Sequence, residues 1–291
     1  MTLVSGRSIL KVWVVALVVA AGLPAFAGDI APFATTQPTA KPREGYRLLG
    51  AGSWVVTHSA VTSSMGFPSN VKRKVVIAAD GTTGGRTLSE SRWSGAEFEP
   101  TGPAQSLGPI DGRTFDQMGF TPQTTLPDAA IHLSRRRYLC SVNQYLFRSE
   151  SDGRSVLLTL YRDKSQTIKL PARSLIVGGR EIPLPADAIQ AEFTVEGPRM
   201  SAKGSRRIIA MASPLIVSGK TCICLVESTR TEGTSNDKPL SIQSQEWFSD
   251  ALPGERMRMQ TITTVGKTRV DSDVTVVEFG VTPAEAKVAG K

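Results

Sequence analysis

The residues of this chain best suited to chemistry are two histidines, three cysteines and a few paired acids, and none of these sets is arranged for catalysis. His58 has no acidic residue near it in sequence, and His132 has Asp128 four residues before it. The members of a Ser-His-Asp triad meet in space and not in sequence, but no Gly-x-Ser-x-Gly elbow presents a nucleophile. Glycoside hydrolysis needs two carboxylates flanking one bond. Glu97 with Glu99 and Asp271 with Asp273 are the candidates, and both pairs read as solvated loop acids, with only Trp93 near the first. Gly84-Gly85 lacks the Lys-Ser/Thr that a phosphate-cradling loop requires, and there is no His-Glu-x-x-His helix or EF-hand loop. No catalytic residue is assigned, and the chain is expected not to be an enzyme.

The cysteines are Cys140, Cys222 and Cys224. In an oxidising compartment three cysteines imply one disulfide and one odd thiol. Cys222 and Cys224 sit at i and i+2 of a strand-like run, where Cα atoms are about 7 Å apart, a poor distance for a bridge. A pairing that involves Cys140 is more open. Cys-x-Cys alone supplies too few soft ligands for a metal, and no histidine lies near it. No metal or other cofactor is expected.

Arg135-Arg136-Arg137 is the sharpest charge cluster. It suits an anion contact, or a solvated turn that also guards a sheet edge against aggregation; the turn is the simpler reading. Trp54, Trp93, Tyr138, Tyr161 and Trp247 are the candidates for an apolar ligand lining. Large aromatics also fill β cores, so the lining holds only if several of them share one concave face.

The elements that must position these residues are strands. Val55, Thr57, Ser59 and Val61 alternate with Trp54, Val56, His58 and Ala60, the period of a half-buried strand. Asp80-Gly81 marks a hairpin, and a third strand ends near Trp93. Ser94–Asp128 is rich in Gly and Pro and lacks periodicity, which is unusual inside a compact domain; it reads as a joint, with a lid as the alternative. Gly178-Gly179 and Gly266-Lys267 mark two further hairpins. The one helix candidate follows Pro183, with a turn from Pro185 through Ala188. No long helical period and no βαβ alternation occur, so the chain is all-β.

Ile131–Cys140 can be laid over Leu215–Cys224. Ser134 then meets Ser218 and Cys140 meets Cys224, and apolar or basic residues match at Ile131, Leu133, Arg136 and Leu139. Tyr161 and Trp247 follow at similar spacing, and each precedes a Leu-Pro turn, at Leu170-Pro171 and Leu252-Pro253. The pattern describes a degenerate internal repeat of a β-meander, too long in period for a solenoid. It places Cys140 and Cys224 at equivalent positions, where they are expected to form the disulfide.

The ends of the chain are of another kind. Arg7 and Lys11 precede the apolar run Val12–Leu23, and Ala25-Phe26-Ala27 fits a leader cleavage site. The run is shorter than the roughly 20 residues of a membrane span, so residues 1–27 read as a signal peptide and no integral span is expected in the mature chain. Residues 28–45 are a Pro-rich spacer, 46–125 an N-terminal meander with the turn-rich joint, 126–282 the duplicated β region, and 283–291 a tail. The formal net charge of +8 reads most simply as keeping the protein soluble; the partners it would otherwise suit outside the cytoplasm are anionic envelope components and not nucleic acid. The location expected is periplasmic or secreted.

Gly219-Lys220-Thr-Cys-Ile-Cys224, Trp247, Pro253-Gly254 and the opening Gly45-Tyr46 with Trp54-Val55-Val56 resemble exported bacterial envelope β proteins of the lipoprotein-carrier-like fold. The resemblance covers Arg206–Gly280 best and Ile131–Arg173 faintly. It implies a curved antiparallel sheet or half-barrel with a concave apolar face, and it brings no catalytic residue. The chain departs from it in lacking the anchor cysteine that some relatives carry and in having Cys222. The function expected is a non-enzymatic binding or carrier module for an apolar or amphiphilic envelope component, such as a lipid. The alternative is a structural or protein-interaction module offering sheet edges, with a hydrolase as the remote third.

Overall fold

The computed structural model describes residues 44–64, 66–81, 85–108, 115–178 and 180–282. The stretch read as signal peptide, most of that read as spacer, and that read as tail lie outside the described residues. Residues 44 and 45, expected to close the spacer, instead open a 3-10 turn, Glu44–Leu48.

Sixteen strands follow in the described residues. They are β1 (Trp54–Ser63), β2 (Gly66–Ala79), β3 (Arg86–Trp93), β4 (Phe98–Pro100), β5 (Gln105–Leu107), β6 (Phe120–Leu133), β7 (Arg136–Arg148) and β8 (Ser155–Asp163). Then come β9 (Arg173–Val177), β10 (Arg180–Leu184), β11 (Ala188–Gly197), β12 (Met200–Val217), β13 (Lys220–Ser235), β14 (Lys238–Phe248), β15 (Arg256–Val265) and β16 (Thr268–Gly280). All but β9 and β10 join one antiparallel sheet in the order β4-β3-β2-β1-β16-β15-β14-β13-β12-β11-β8-β7-β6, with β5 also on β3. The sheet is open and curved. Its curvature brings Ser218, at the β12–β13 turn, within 2.7 Å of the Val277 carbonyl on β16, although three strands lie between β12 and β16. Among the described residues no helix is long and apolar enough to cross a membrane.

The first and last strands of the sheet's middle pair directly, β1 with β16. The N-terminal meander is therefore continued by the end of the chain and not by the segment that follows it. The stretch read as a joint holds β4, β5, a 3-10 turn at Asp116–Met118 and the first residues of β6. Pro122 and Pro127, in that Gly- and Pro-rich stretch, lie in β6, a strand at one edge of the sheet. Proline is tolerated there because an edge strand can leave an N–H unpaired.

The helix expected after Pro183 does not form. Pro185 begins a turn in which the Ala188 N–H bonds the Pro185 carbonyl at 3.1 Å, and β11 starts at once. The β-rich sequence Ala188–Val195 alternates buried and half-buried residues along most of its length, and sheet pairing on both sides outweighs one turn of local preference.

Two hairpins, β6–β7 and β12–β13, run past their neighbours as arms at the end of the sheet where β8 stops and β11 starts. Their turns are Ser134-Arg135, with φ of 49° and 66°, and Ser218-Gly219, with φ of 49° and 75°, the signature of a type I′ turn. Leu133 pairs Arg136, Ile131 pairs Tyr138 and Ala129 pairs Cys140 in the first arm. Val217 pairs Lys220, Leu215 pairs Cys222 and Ser213 pairs Cys224 in the second. The segments that the sequence superposes thus share turn and register.

The β9–β10 hairpin packs across the long sheet. Leu175, Val177, Ile182 and Leu184 meet Leu158, Leu160, Phe193 and Val195 in one apolar core. A second core gathers Leu49, Val55, Ile77, Cys222, Cys224, Leu252 and Met257, and a third Leu133, Cys140, Ile168, Leu170, Ile189 and Leu225.

Candidate functional site

The expected disulfide is not formed: Cys140, Cys222 and Cys224 are all free and buried. Cys140 lies in the third core and Cys224 in the second. The strands that carry them, β7 and β13, are separated in the sheet by β8, β11 and β12, about 19 Å at normal strand spacing. Their register positions in the two arms correspond, and corresponding places in two arms are not adjacent places. Burial pushes the thiols of both up to about 11, helped by Asp163 beside Cys140 and by Cys222 beside Cys224. Such thiols are inert.

The five aromatic candidates do not share one face. Trp247 packs on the second core and Tyr138 and Tyr161 on the third. Burial, with Glu192 alongside, pushes the Tyr161 phenol up to about 12. Trp54 and Trp93 belong to a surface ladder instead. Lys74 Nζ sits 5.6 Å from the Trp54 ring centre, and Lys72 Nζ sits 5.9 Å from that of Trp93 and 5.8 Å from that of Phe98. These stacked cations cover ring surface that would otherwise face water.

His58 and His132 are exposed and have no hydrogen-bond partner among the described residues. Asp271 holds Arg269 at 3.0 Å, while Asp273 takes Arg258, Gln260 and Thr275. Arg258 and these partners hold the Asp273 carboxyl below the usual range against the pull of burial. Arg135 is a turn residue and Arg136 and Arg137 open β7, all exposed, as a solvated turn requires. Among the described residues no three His, Cys, Asp or Glu side chains are placed to hold a metal.

The sequence reading missed a line of six charges under the β9–β10 hairpin, of which Arg173, Arg206, Glu227, Glu246 and Arg256 are buried and Glu181 is half-buried. Glu227 accepts from Arg173 Nε at 2.9 Å and from Arg206 Nε at 2.7 Å. Arg206 reaches Glu246 at 3.8 Å, Glu246 accepts from Arg256, and Arg256 Nη1 meets Glu181 at 3.2 Å. Ser174 on β9 ties in through its hydroxyl, which donates to Glu181 at 2.5 Å, and its carbonyl, which takes Arg206 Nη1 at 2.6 Å. Signs alternate along the line and cancel. Burial alone would raise the Glu246 carboxyl, but Arg256 and Arg206 hold it below the usual range. Burial lowers Arg173, whereas Glu246 and Glu181 overcome it at Arg256 and raise that guanidinium. Apart from its Glu181 end the arrangement is closed to solvent, and its charges pair with one another between the hairpin and the sheet, so it ties the hairpin down. The sequence signal was a single acid directly after an apolar run, as in Leu225-Val226-Glu227, opposite lone arginines on other strands.

Open space lies at the foot of the second arm. A cleft of about 420 Å³ is lined by Leu170 and Pro171, by Met211, by Thr221–Ile223 and Leu225, and by Ser249–Ala251, with Lys169 at its side. Leu225 is 2% exposed, Ile223 on the same side of β13 is 58% exposed, and Ile216 farther out is 72% exposed. An apolar strip therefore runs out of the core along the arm with its outer part uncovered.

The wall made by Leu170 is fixed by Asp163. Its buried carboxylate accepts from the Ser165 hydroxyl at 2.7 Å and from the backbone N–H of Thr167 and Ile168 at 2.8 and 3.1 Å. Burial would raise this group, but these bonds hold it down to about 2.

The fold and the cleft define a class: an all-β protein with an open, curved antiparallel sheet. No protein-family model matches the chain, and no curated protein matches it. Among solved structures it is similar to a putative lipoprotein from Parabacteroides distasonis, with 7% identity and a TM-score of 0.33, over 80% of this chain and 96% of that one. A likeness at that level carries no function across.

Proposed function

We propose that this chain is an exported, non-enzymatic binding module of the cell envelope that holds the apolar part of an envelope component in the open cleft beside β13. The carrying observation is the strip from Leu225 through Ile223, both lining a cleft of about 420 Å³, to Ile216 beyond it, which passes from full burial to wide exposure. Large exposed apolar side chains grouped together mark contact sites, and the size falls in the range of small-ligand sites. The leader-like N-terminus, Arg7 to Ala27, supports export.

The space beneath the β9–β10 hairpin is filled by core side chains and the six-charge line. A carrier that encloses its cargo there is not supported; an open docking surface is. The test is binding of a dansyl-labelled undecanoic acid, followed by fluorescence, to the wild type and to Ile223→Glu. Saturable binding that the substitution abolishes supports the reading. Equal binding to both proteins, or none to either, sinks it.

A further inference from the structure

The cleft has a backbone as well as side chains. In a two-residue hairpin the pair flanking the turn exchanges both hydrogen bonds, and the pattern then alternates. With Val217 opposite Lys220, the N–H and C=O of Cys222 and Cys224 turn toward β12. Those of Thr221 and Ile223 turn the other way, into the lane that β14 fills farther along. β14 occupies that lane only as far as Phe248, opposite Leu225. The chain then turns off at Ser249, whose carbonyl takes the Leu252 N–H at 3.1 Å. The backbone groups of Thr221 and Ile223 have no hydrogen-bond partner among the described residues, and the cleft lies where one would sit.

The first arm shows what fills such a lane. Leu139 holds the register position of Ile223, and its carbonyl accepts the Lys164 N–H at 2.9 Å as the chain leaves β8. In the second arm the chain leaving β14 stands off and the lane is empty.

We propose that the second arm binds an extended polypeptide segment by strand addition along Thr221–Ile223. Main-chain hydrogen bonds supply the attachment and alternate side chains the selectivity, as in other sheet-edge recognition. Every second residue of the segment is apolar, resting against Ile223, Met211 and Leu170. Lys169 and Asp250 are both in the cleft's lining, and an acidic flank of the segment meets Lys169. The inference rests on the cleft being the binding site and names the class of its occupant.

The probe is a fluorescein-labelled heptapeptide of alternating valine and threonine with glutamate at each end, read by anisotropy. Its partner is the same peptide N-methylated at the amides that would face β13. The variant is Thr221→Pro, which removes one outward N–H, a loss an open edge tolerates; its thermal midpoint is measured alongside. The expected result is that the peptide binds and that methylation and Thr221→Pro each weaken it by about tenfold or more, the scale of a lost hydrogen bond or two. Equal binding of parent and methylated peptides overturns strand addition, and so does an unaltered affinity in a folded Thr221→Pro. If that variant does not fold, the methylated peptide decides. Binding of the acyl probe without the peptide overturns strand addition and leaves the cleft as a site; binding of neither overturns both.

Discussion

Leu139 and Ile223 occupy the same place in two hairpins of matching turn and register, and they differ in one hydrogen bond. The Leu139 carbonyl takes the Lys164 N–H, and the Ile223 carbonyl takes nothing among the described residues. One scaffold unit thus has a finished edge and the other an unfinished one. The rest of the molecule determines how far that edge can be probed without unfolding it.

The six-charge line under the β9–β10 hairpin is expected to be the most sensitive polar feature. Glu227→Gln leaves Arg173 and Arg206 buried with one anion fewer. Removing one partner from a buried ionic pair costs about 3–5 kcal/mol, so the urea midpoint should fall strongly. Arg230→Ala breaks the exposed pair with Glu232, and exposed pairs contribute about 0–1 kcal/mol. Equal losses for the two variants would contradict an anchoring role for the line.

The thiols give a second check. With Cys140 and Cys224 both pushed up to about 11 and all three sulfurs buried, Ellman's reagent at pH 8 is expected to find almost no reactive thiol in the native protein. After unfolding in urea it should find all three. A disulfide-linked peptide in a non-reducing digest would contradict the free-thiol arrangement.

Asp163 sets an acid limit. Its folded-state value of about 2 lies below the roughly 3.9 of an unfolded aspartate. A depressed carboxylate contributes stability that is present above the unfolded value and is lost as pH falls through the folded one. Stability carried by this group should therefore disappear between about pH 4 and pH 2. Asp163→Asn should flatten that part of the urea-midpoint profile, and an unchanged profile would remove Asp163 as its source.

Gly254 and Gly266 test backbone contact against backbone conformation. Both have positive φ, 76° and 59°. A Cβ on Gly254 would meet Leu48 Cδ1 at 2.7 Å and Gly45 Cα at 2.9 Å, whereas one on Gly266 meets nothing closer than 3.6 Å. Gly266→Ala should cost about 1–2 kcal/mol for conformation alone. Gly254→Ala should cost clearly more, because the 3-10 turn must also move. Similar thermal midpoints for the two would show that the turn yields freely.

The β content, the β9–β10 and β15–β16 hairpins and the superposable arms could be read in the sequence, because they rest on local chemistry and a period of two. The partner of β1 could not: nothing local in Trp54–Ser63 points to Thr268–Gly280. The same limit explains the disulfide. Equivalence of Cys140 and Cys224 is a statement about order along the chain, and bonding needs proximity across four strand spacings. The cleft was hidden for a different reason. Ile216 and Ile223 read as ordinary strand residues, and only the early ends of the strands beside the second arm, β14 next to β13 and β11 next to β12, leave that arm bare. The buried charges were missed because lone Arg and Glu residues in strands are normally exposed; their cancellation appears only when six strands meet.

The direct pairing of β1 with β16 also sets an order of events. The N-terminal meander has one side of β1 open until Thr268–Gly280 is in place, so the sheet stays in two parts until nearly the whole chain is available. Pairings this distant in sequence are slow to form, and the open side of β1 stays exposed until Thr268–Gly280 has been made.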